Sequence, residues 1–170
     1  GDIKIFGEKP SAVQKNDIGV VLDEVGIPES FTIKDINAIM KHSFTNWNEK
    51  TFYDYMTKFR LPEKKNFKTF SKGMKMKMGI AIALSHDAKL LILDEPTSGL
   101  DPKVCSDMYA LIKELNEKDK VTVIMISHDI HAALHYATHI LHMGQDIFFG
   151  TCEEYKKSEV AKGFVCDKCE

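Results

Sequence analysis

Three short apolar runs in this chain end in residues that can do chemistry. Leu90-Leu91-Ile92-Leu93 leads into Asp94-Glu95, Ile18-Gly19-Val20-Val21-Leu22 into Asp23-Glu24, and Val121-Thr122-Val123-Ile124-Met125-Ile126 into Ser127-His128-Asp129. Such runs are too short for lone helices and read as strands, those of Leu90–Leu93 and Val121–Ile126 buried on both faces. Pro96 then blocks easy continuation and Ser98-Gly99 supplies turn chemistry. Ligands of open parallel sheets gather outside the carboxyl ends of the strands, so paired acids there suit a metal ion and a nucleophile. A fourth candidate lies in Thr69-Phe70-Ser71-Lys72-Gly73-Met74-Lys75-Met76-Lys77. Ser71 and Gly73 open an apolar helix through Gly79–Leu84, and free N–H groups with the positive dipole end make such a start an anion site. Taken singly, each has an ordinary counterpart: an acidic loop, a Ser-capped helix, a structural histidine.

The elements that must position these groups follow from local pattern. Residues 2–6 alternate and suit an edge strand, and the chain opens at Gly1 as if entering a fold in progress. From Pro28 to about Ser85 the pattern is helical. Thr32 is an N-cap for a segment carrying Ile33, Ile36, Ala38, Ile39 and Met40. Asn48 caps the next, where Phe52, Tyr55, Met56 and Phe59 form a packing stripe closed by Leu61-Pro62. Val104–Asn116 is a helix with Met108, Leu111, Ile112 and Leu115 on one face and Glu114, Glu117 and Lys118 on the solvated side. Ile130–Ala137 buries Ile130, Ala133, Leu134 and Ala137 and leaves His131 and His135 on its polar face. Histidines at that spacing can clip a metal, but no acid or cysteine is placed with them. Residues 139–143 and 147–150, joined by Gly144-Gln145-Asp146, read as a hairpin, followed by a helix start at Thr151–Tyr155.

With 170 residues, 44% hydrophobic and 28% charged, the chain can bury a real core. A net charge of -2 with interspersed signs gives no nucleic-acid footprint. No apolar run approaches the roughly 18 residues of a membrane span, no leader is recognised, and any membrane link is expected through a partner. Four unevenly spread cysteines do not resemble a secreted disulfide framework, which points to the cytosol. Cys166-Asp167-Lys168-Cys169 supplies two thiolates where zinc wants about four ligands, so it reads as a tail, with an intermolecular metal site as the other reading.

The string Leu90-Leu91-Ile92-Leu93-Asp94-Glu95-Pro96-Thr97-Ser98-Gly99-Leu100-Asp101 resembles the Walker B motif and D-loop of ATP-binding cassette (ABC) ATPases. The resemblance implies an α/β fold: a P-loop NTPase, RecA-like core of parallel strands over residues 1–27 and 86–150. Residues 28–85 would be the inserted helical subdomain and 151–170 a C-terminal helix and tail. It implies ATP and Mg²⁺ as cofactors, with Asp94 holding the metal and Glu95 polarising the attacking water. Asp23 falls where the Q-loop usually has Gln; a carboxylate there can still hold Mg²⁺ through oxygen. Phe70-Ser71-Lys72-Gly73-Met74 resembles the L-S-G-G-Q signature that closes over nucleotide on the opposite subunit, matching at Ser71 and Gly73 and departing at Lys72 and Met74. Asp101 would lie at the dimer interface and His128 would be the switch histidine that contacts the γ-phosphate. The departures are similar to those of bacterial exporter ATPases of the drug-resistance or lantibiotic-immunity kind.

No G-x-x-x-x-G-K-[ST] loop occurs, and no Gly-Lys pair at all. The resemblance is therefore to a cassette truncated at its N-terminus, whose parent hydrolyses ATP while this chain alone binds nucleotide poorly and does not turn over. The implied partners are a transmembrane permease subunit and a second ATPase subunit in a head-to-tail pair, on the cytoplasmic face of the membrane. Other readings are a non-transport ABC ATPase, for which long heptad coiled coils are missing, and a degenerate regulatory module.

Overall fold

The structure, a computed structural model, describes residues 1–11 and 14–163. Two compact units make up the chain, Gly1–Ile126 and a second from Ser127 onward. The first holds a three-stranded parallel sheet, β1 (Ile18–Val21), β2 (Leu90–Asp94) and β3 (Thr122–Ile126), in that spatial order. Val21 pairs with Leu93, Leu93 with Met125 and Asp94 with Ile126, so the three chains leave the sheet at the same edge.

Between β1 and β2 the chain forms α1 (Ile33–Ser43), α2 (Glu49–Lys58) and α3 (Lys72–Ser85). Each begins at a side-chain cap: Thr32 accepts from Asp35 N, Asn48 from Thr51 N and Ser71 from Met74 N. These caps satisfy amides that the helix itself leaves unpaired. α2 ends before Leu61-Pro62. Arg60 takes φ +57, and the amides of Arg60 and Leu61 donate to the carbonyls of Thr57 and Met56 at 3.0 and 2.9 Å, a Schellman stop built on arginine in place of glycine. Phe52, Met56 and Phe59 are buried in the core, so the aromatic stripe is packing.

At α1 the Asp35 carboxylate accepts from the Thr32 hydroxyl and amide, and those two bonds hold its pKa below the ordinary value. Its stabilisation is therefore complete above the ordinary carboxylate range and is lost as pH falls through the lowered folded value. Amide protection in the first turn of α1 is expected to decline between about pH 5 and pH 2, and Asp35→Asn to flatten that decline; hydrogen exchange against pH reads both.

α3 lies on β1 at a distance that only small residues permit. A Cβ on Gly19 would stand 2.6 Å from Ala83 Cβ, and one on Gly79 would stand 2.6 Å from Val21 Cγ1. α4 (Pro102–Glu117) follows β2 and buries Met108, Tyr109 and Leu115.

Three expectations need correction. Residues 2–6 form no strand; Ile5 and Glu8 make an isolated bridge across a turn with φ +51 at Phe6 and +82 at Gly7. β2 and β3 are not buried on both faces: Leu91 and Leu93 are fully buried, whereas Leu90 and Ile92 are half-buried and Ile124 is 51% exposed. Alternation in the pleat explains this, because the helices cover only the face that carries Gly19, Val21, Leu91 and Leu93. In the second unit, α5 (Ile130–Tyr136) contains no fully buried residue, so its apolar stripe is only half-covered.

The second unit continues as an antiparallel pair, β4 (His139–Met143) and β5 (Ile147–Thr151), with Leu141 opposite Phe149. α6 (Cys152–Lys157) begins at a Thr151–Glu154 capping box, and the hydroxyl of its buried Tyr155 lies 3.0 Å from His142 Nδ1 in a hydrogen bond. Cys166 and Cys169 lie outside the described residues.

Candidate functional site

The site is built where β1 and β2 leave the sheet. Asp94 is the last residue of β2, and Glu95 follows with φ +46, a left-handed conformation unusual for a side-chain-bearing residue. Two backbone bonds hold it: Glu95 N donates to Ile126 O of β3, and Ser98 N donates to Glu95 O, both at 3.0 Å. The left-handed residue ends the strand's alternation at Asp94 and starts the turn directly after the two consecutive carboxylates. Backbone strain of this kind is found at functional sites when the surroundings over-determine it, and Glu95 Oε2 is buried.

The turn after Glu95 is fastened to α4. Thr97 Oγ1 and Tyr109 Oη lie 3.1 Å apart, and Cys105 Sγ approaches the carbonyls of Thr97 and Leu100 at 3.5 and 3.6 Å. Gly99, at φ +68, completes the turn. Asp101 caps α4, its carboxylate accepting from Lys103 N and Val104 N at 3.1 and 3.0 Å. Thr97 and Tyr109 were not singled out by sequence pattern; Tyr109 lies at the edge of the apolar face of α4, where its hydroxyl gives no signal of a distant partner.

Ser71, Lys72, Gly73 and Met74 open α3 beside this turn. Ser71 Oγ caps the helix, and a Cβ on Gly73 would stand 2.8 Å from Val104 Cγ1, so glycine lets the two helix starts approach. Met74 packs against the core. Lys72 Nζ sits 2.6 Å from Asp23 Oδ1, which ties the start of α3 to the loop after β1. Past that loop, Leu22, Val25, Ile27, Met40 and Ile82 line an apolar groove of about 230 Å³.

The structure thus brings together Asp23, Ser71, Lys72 and Gly73 around one edge of the first unit, with Asp94, Glu95 and Asp101 on the adjoining strand and turn. His128 stands two residues beyond β3, exposed, at the start of the second unit. Among the described residues no three His, Cys, Asp or Glu converge to hold a metal. Asp94, Glu95 and Asp23 offer carboxylate oxygens, the hard donors of which Mg²⁺ takes one or two beside its waters and substrate oxygens.

The first unit is a parallel sheet with helical insertions and with acids at the end of its central strand, a RecA-like fold. The solved structure of cbiO1 from Clostridium perfringens, part of the ABC transporter complex cbiONQ, shares it, with a TM-score of 0.80 at 22% identity over 94% of this chain and 69% of that one.

The family model described as ABC transporter matches residues 1–98, more than half of the sequence, and the chain belongs to that family. It is 30% identical over 172 residues to the methionine import ATP-binding protein MetN of Lactobacillus acidophilus, covering 95% of this chain and 49% of the relative. It is 33% identical over 153 residues to the bacitracin transport ATP-binding protein BcrA of Bacillus licheniformis, covering 85% and 50%. The chain therefore spans about half the length of these curated relatives.

Proposed function

We propose that this chain belongs to the nucleotide-binding ATPase subunit of an ABC transporter, which couples ATP binding and hydrolysis to substrate movement by a membrane permease. The carrying observation is the Asp94–Glu95 pair at the end of β2, with Glu95 held in a left-handed backbone conformation. In this reading Asp94 holds Mg²⁺, Glu95 takes up the proton of the attacking water, and His128 orients that water. When bound, Mg²⁺ neutralises charge on the transferring phosphoryl group. Asp23 serves as a further oxygen donor toward the metal shell.

Ser71, Lys72, Gly73 and Met74 present the start of α3 to nucleotide on a second ATPase subunit arranged head to tail, with Asp101 at that interface. The apolar groove beside Asp23 is the seat for the permease. No helix among the described residues is long and apolar enough to cross a membrane; the place assigned to the subunit is peripheral, on the cytoplasmic face. Residues 1–27 and 86–150 form the ATPase core, 28–85 the helical subdomain and 151–170 the tail. Both an import and an antibiotic-transport ATPase are among the relatives; the residues at Asp23 and Lys72 favour the bacterial drug-export or lantibiotic-immunity kind. The sequence carries no phosphate-cradling G-x-x-x-x-G-K-[ST] loop, so turnover is assigned to the whole protein and not to these residues alone.

Phosphate release from ATP by the whole protein tests the reading. Release is expected with magnesium and is expected to stop when EDTA removes it. ATP left intact under both conditions would contradict it and favour a partner-binding module.

A further inference from the structure

Three segments far apart in sequence meet at one ammonium group. Lys72 Nζ, at the first turn of α3, lies 2.6 Å from Asp23 Oδ1 in the loop after β1. That oxygen is itself buried, although both side chains are about two-fifths exposed overall. The third segment is the turn after β2: a Cβ on Gly99 would stand 3.7 Å from Lys72 Nζ. Glycine at 99 is called for by its φ of +68; the lysine tip lies at ordinary contact distance from that position.

A lysine directed at phosphate needs its ammonium free to reach an anion. Here the ammonium already faces a carboxylate of the same chain: the two are an ion pair at 2.6 Å, and among the described residues the buried carboxylate oxygen has no hydrogen-bond donor besides that nearby cation. Removing one member would leave the other's charge uncompensated, which costs more than removing both. Partial exposure keeps the pair's contribution to global stability small. Its effect is instead on where the loop after β1 sits relative to α3 and to the turn that carries Glu95.

We propose that Asp23 and Lys72 work as one unit, in which Lys72 is a positioning residue acting through Asp23 rather than a phosphate ligand. The pair holds the acid of this loop to the start of α3, so that the loop and the helix move together. Its consequence for catalysis rests on the ATPase reading above; the pairing itself does not.

A double-variant cycle read by amide hydrogen exchange without nucleotide separates the two. Asp23→Asn and Lys72→Met are each expected to speed exchange over residues 22–27 by about threefold. The double variant is expected to exchange no faster than either single variant, and Lys72→Arg to exchange like the parent. Multiplied effects in the double variant, or unchanged exchange in both singles, would overturn the proposal. In the whole protein, a Lys72→Met variant that loses ATP affinity with its amide exchange unchanged would likewise overturn it and make Lys72 a phosphate contact. Coupled exchange in a protein that never cleaves ATP would leave the pair standing and remove the ATPase reading.

Discussion

Glu95→Gln in the whole protein is expected to slow ATP cleavage by about 10² to 10⁴-fold while ATP still binds. Gln keeps the size of the side chain and its capacity to accept a hydrogen bond, but it cannot take a proton at neutral pH. The backbone at this position is independent of that change: φ +46 is imposed by the Ile126 and Ser98 bonds, which involve only main-chain atoms. Loss of rate without loss of binding would thus report chemistry at the carboxylate and not collapse of the turn. Single-turnover phosphate release set beside equilibrium nucleotide binding measures the two separately. Parent-like cleavage by Glu95→Gln would remove the water-activating role from this residue.

Gly19→Ala is expected to destabilise the first unit by about 1–3 kcal/mol. The added methyl would stand 2.6 Å from Ala83 Cβ and 3.3 Å from Ala83 Cα, so the nearest atoms belong to or adjoin backbone. A flexible side chain could rotate away; α3 would have to shift as a body. The small pair at Gly19 and Ala83 and the glycine at 79 set how closely α3 lies on β1, and α3 carries Ser71–Met74 at its start. A shift there would move the candidate site as well. Urea unfolding of the chain should show the loss, and Ala83→Gly in the same molecule should restore part of it, offset by about 1 kcal/mol for glycine within a helix. A Gly19→Ala variant with an unchanged midpoint would show that the helix has slack against the strand.

Features whose causes are local were legible in the sequence. Thr32, Asn48 and Ser71 each cap a helix because a hydroxyl or amide oxygen reaches an amide three residues on, a distance written into the chain. The runs before Asp94 and Ser127 formed strands, and the acids fell at a strand end, because a proline and turn residues mark that boundary. What depended on distant neighbours was not legible. An apolar run reads as buried on both faces, yet Leu90 and Ile92 are only half-covered because the helices pack on the other face of the sheet. Arg60 in a left-handed stop escaped notice because glycine is the usual signal for it.

The site divides along the same line. Asp94 and Glu95 were recognisable from adjacent types, whereas the clasp of Thr97 by Tyr109 and the ion pair of Lys72 with Asp23 join residues 12 and 49 positions apart. No helical or strand period connects such pairs. Gly19 offered a faint sign of a tertiary constraint, as a glycine interrupting an apolar strand, where close backbone approach is the common cause.

Metal binding at Asp94 tests the central claim most directly. Mn²⁺, a paramagnetic substitute for Mg²⁺, can be titrated into the whole protein with and without ATP and its free fraction read by electron paramagnetic resonance. ATP is expected to strengthen Mn²⁺ binding by the protein, and Asp94→Asn to weaken that binding by about 10-fold or more, since a metal-ligating carboxylate would be lost. Equal ATP-dependent binding by the parent and Asp94→Asn would place the metal elsewhere and contradict the account.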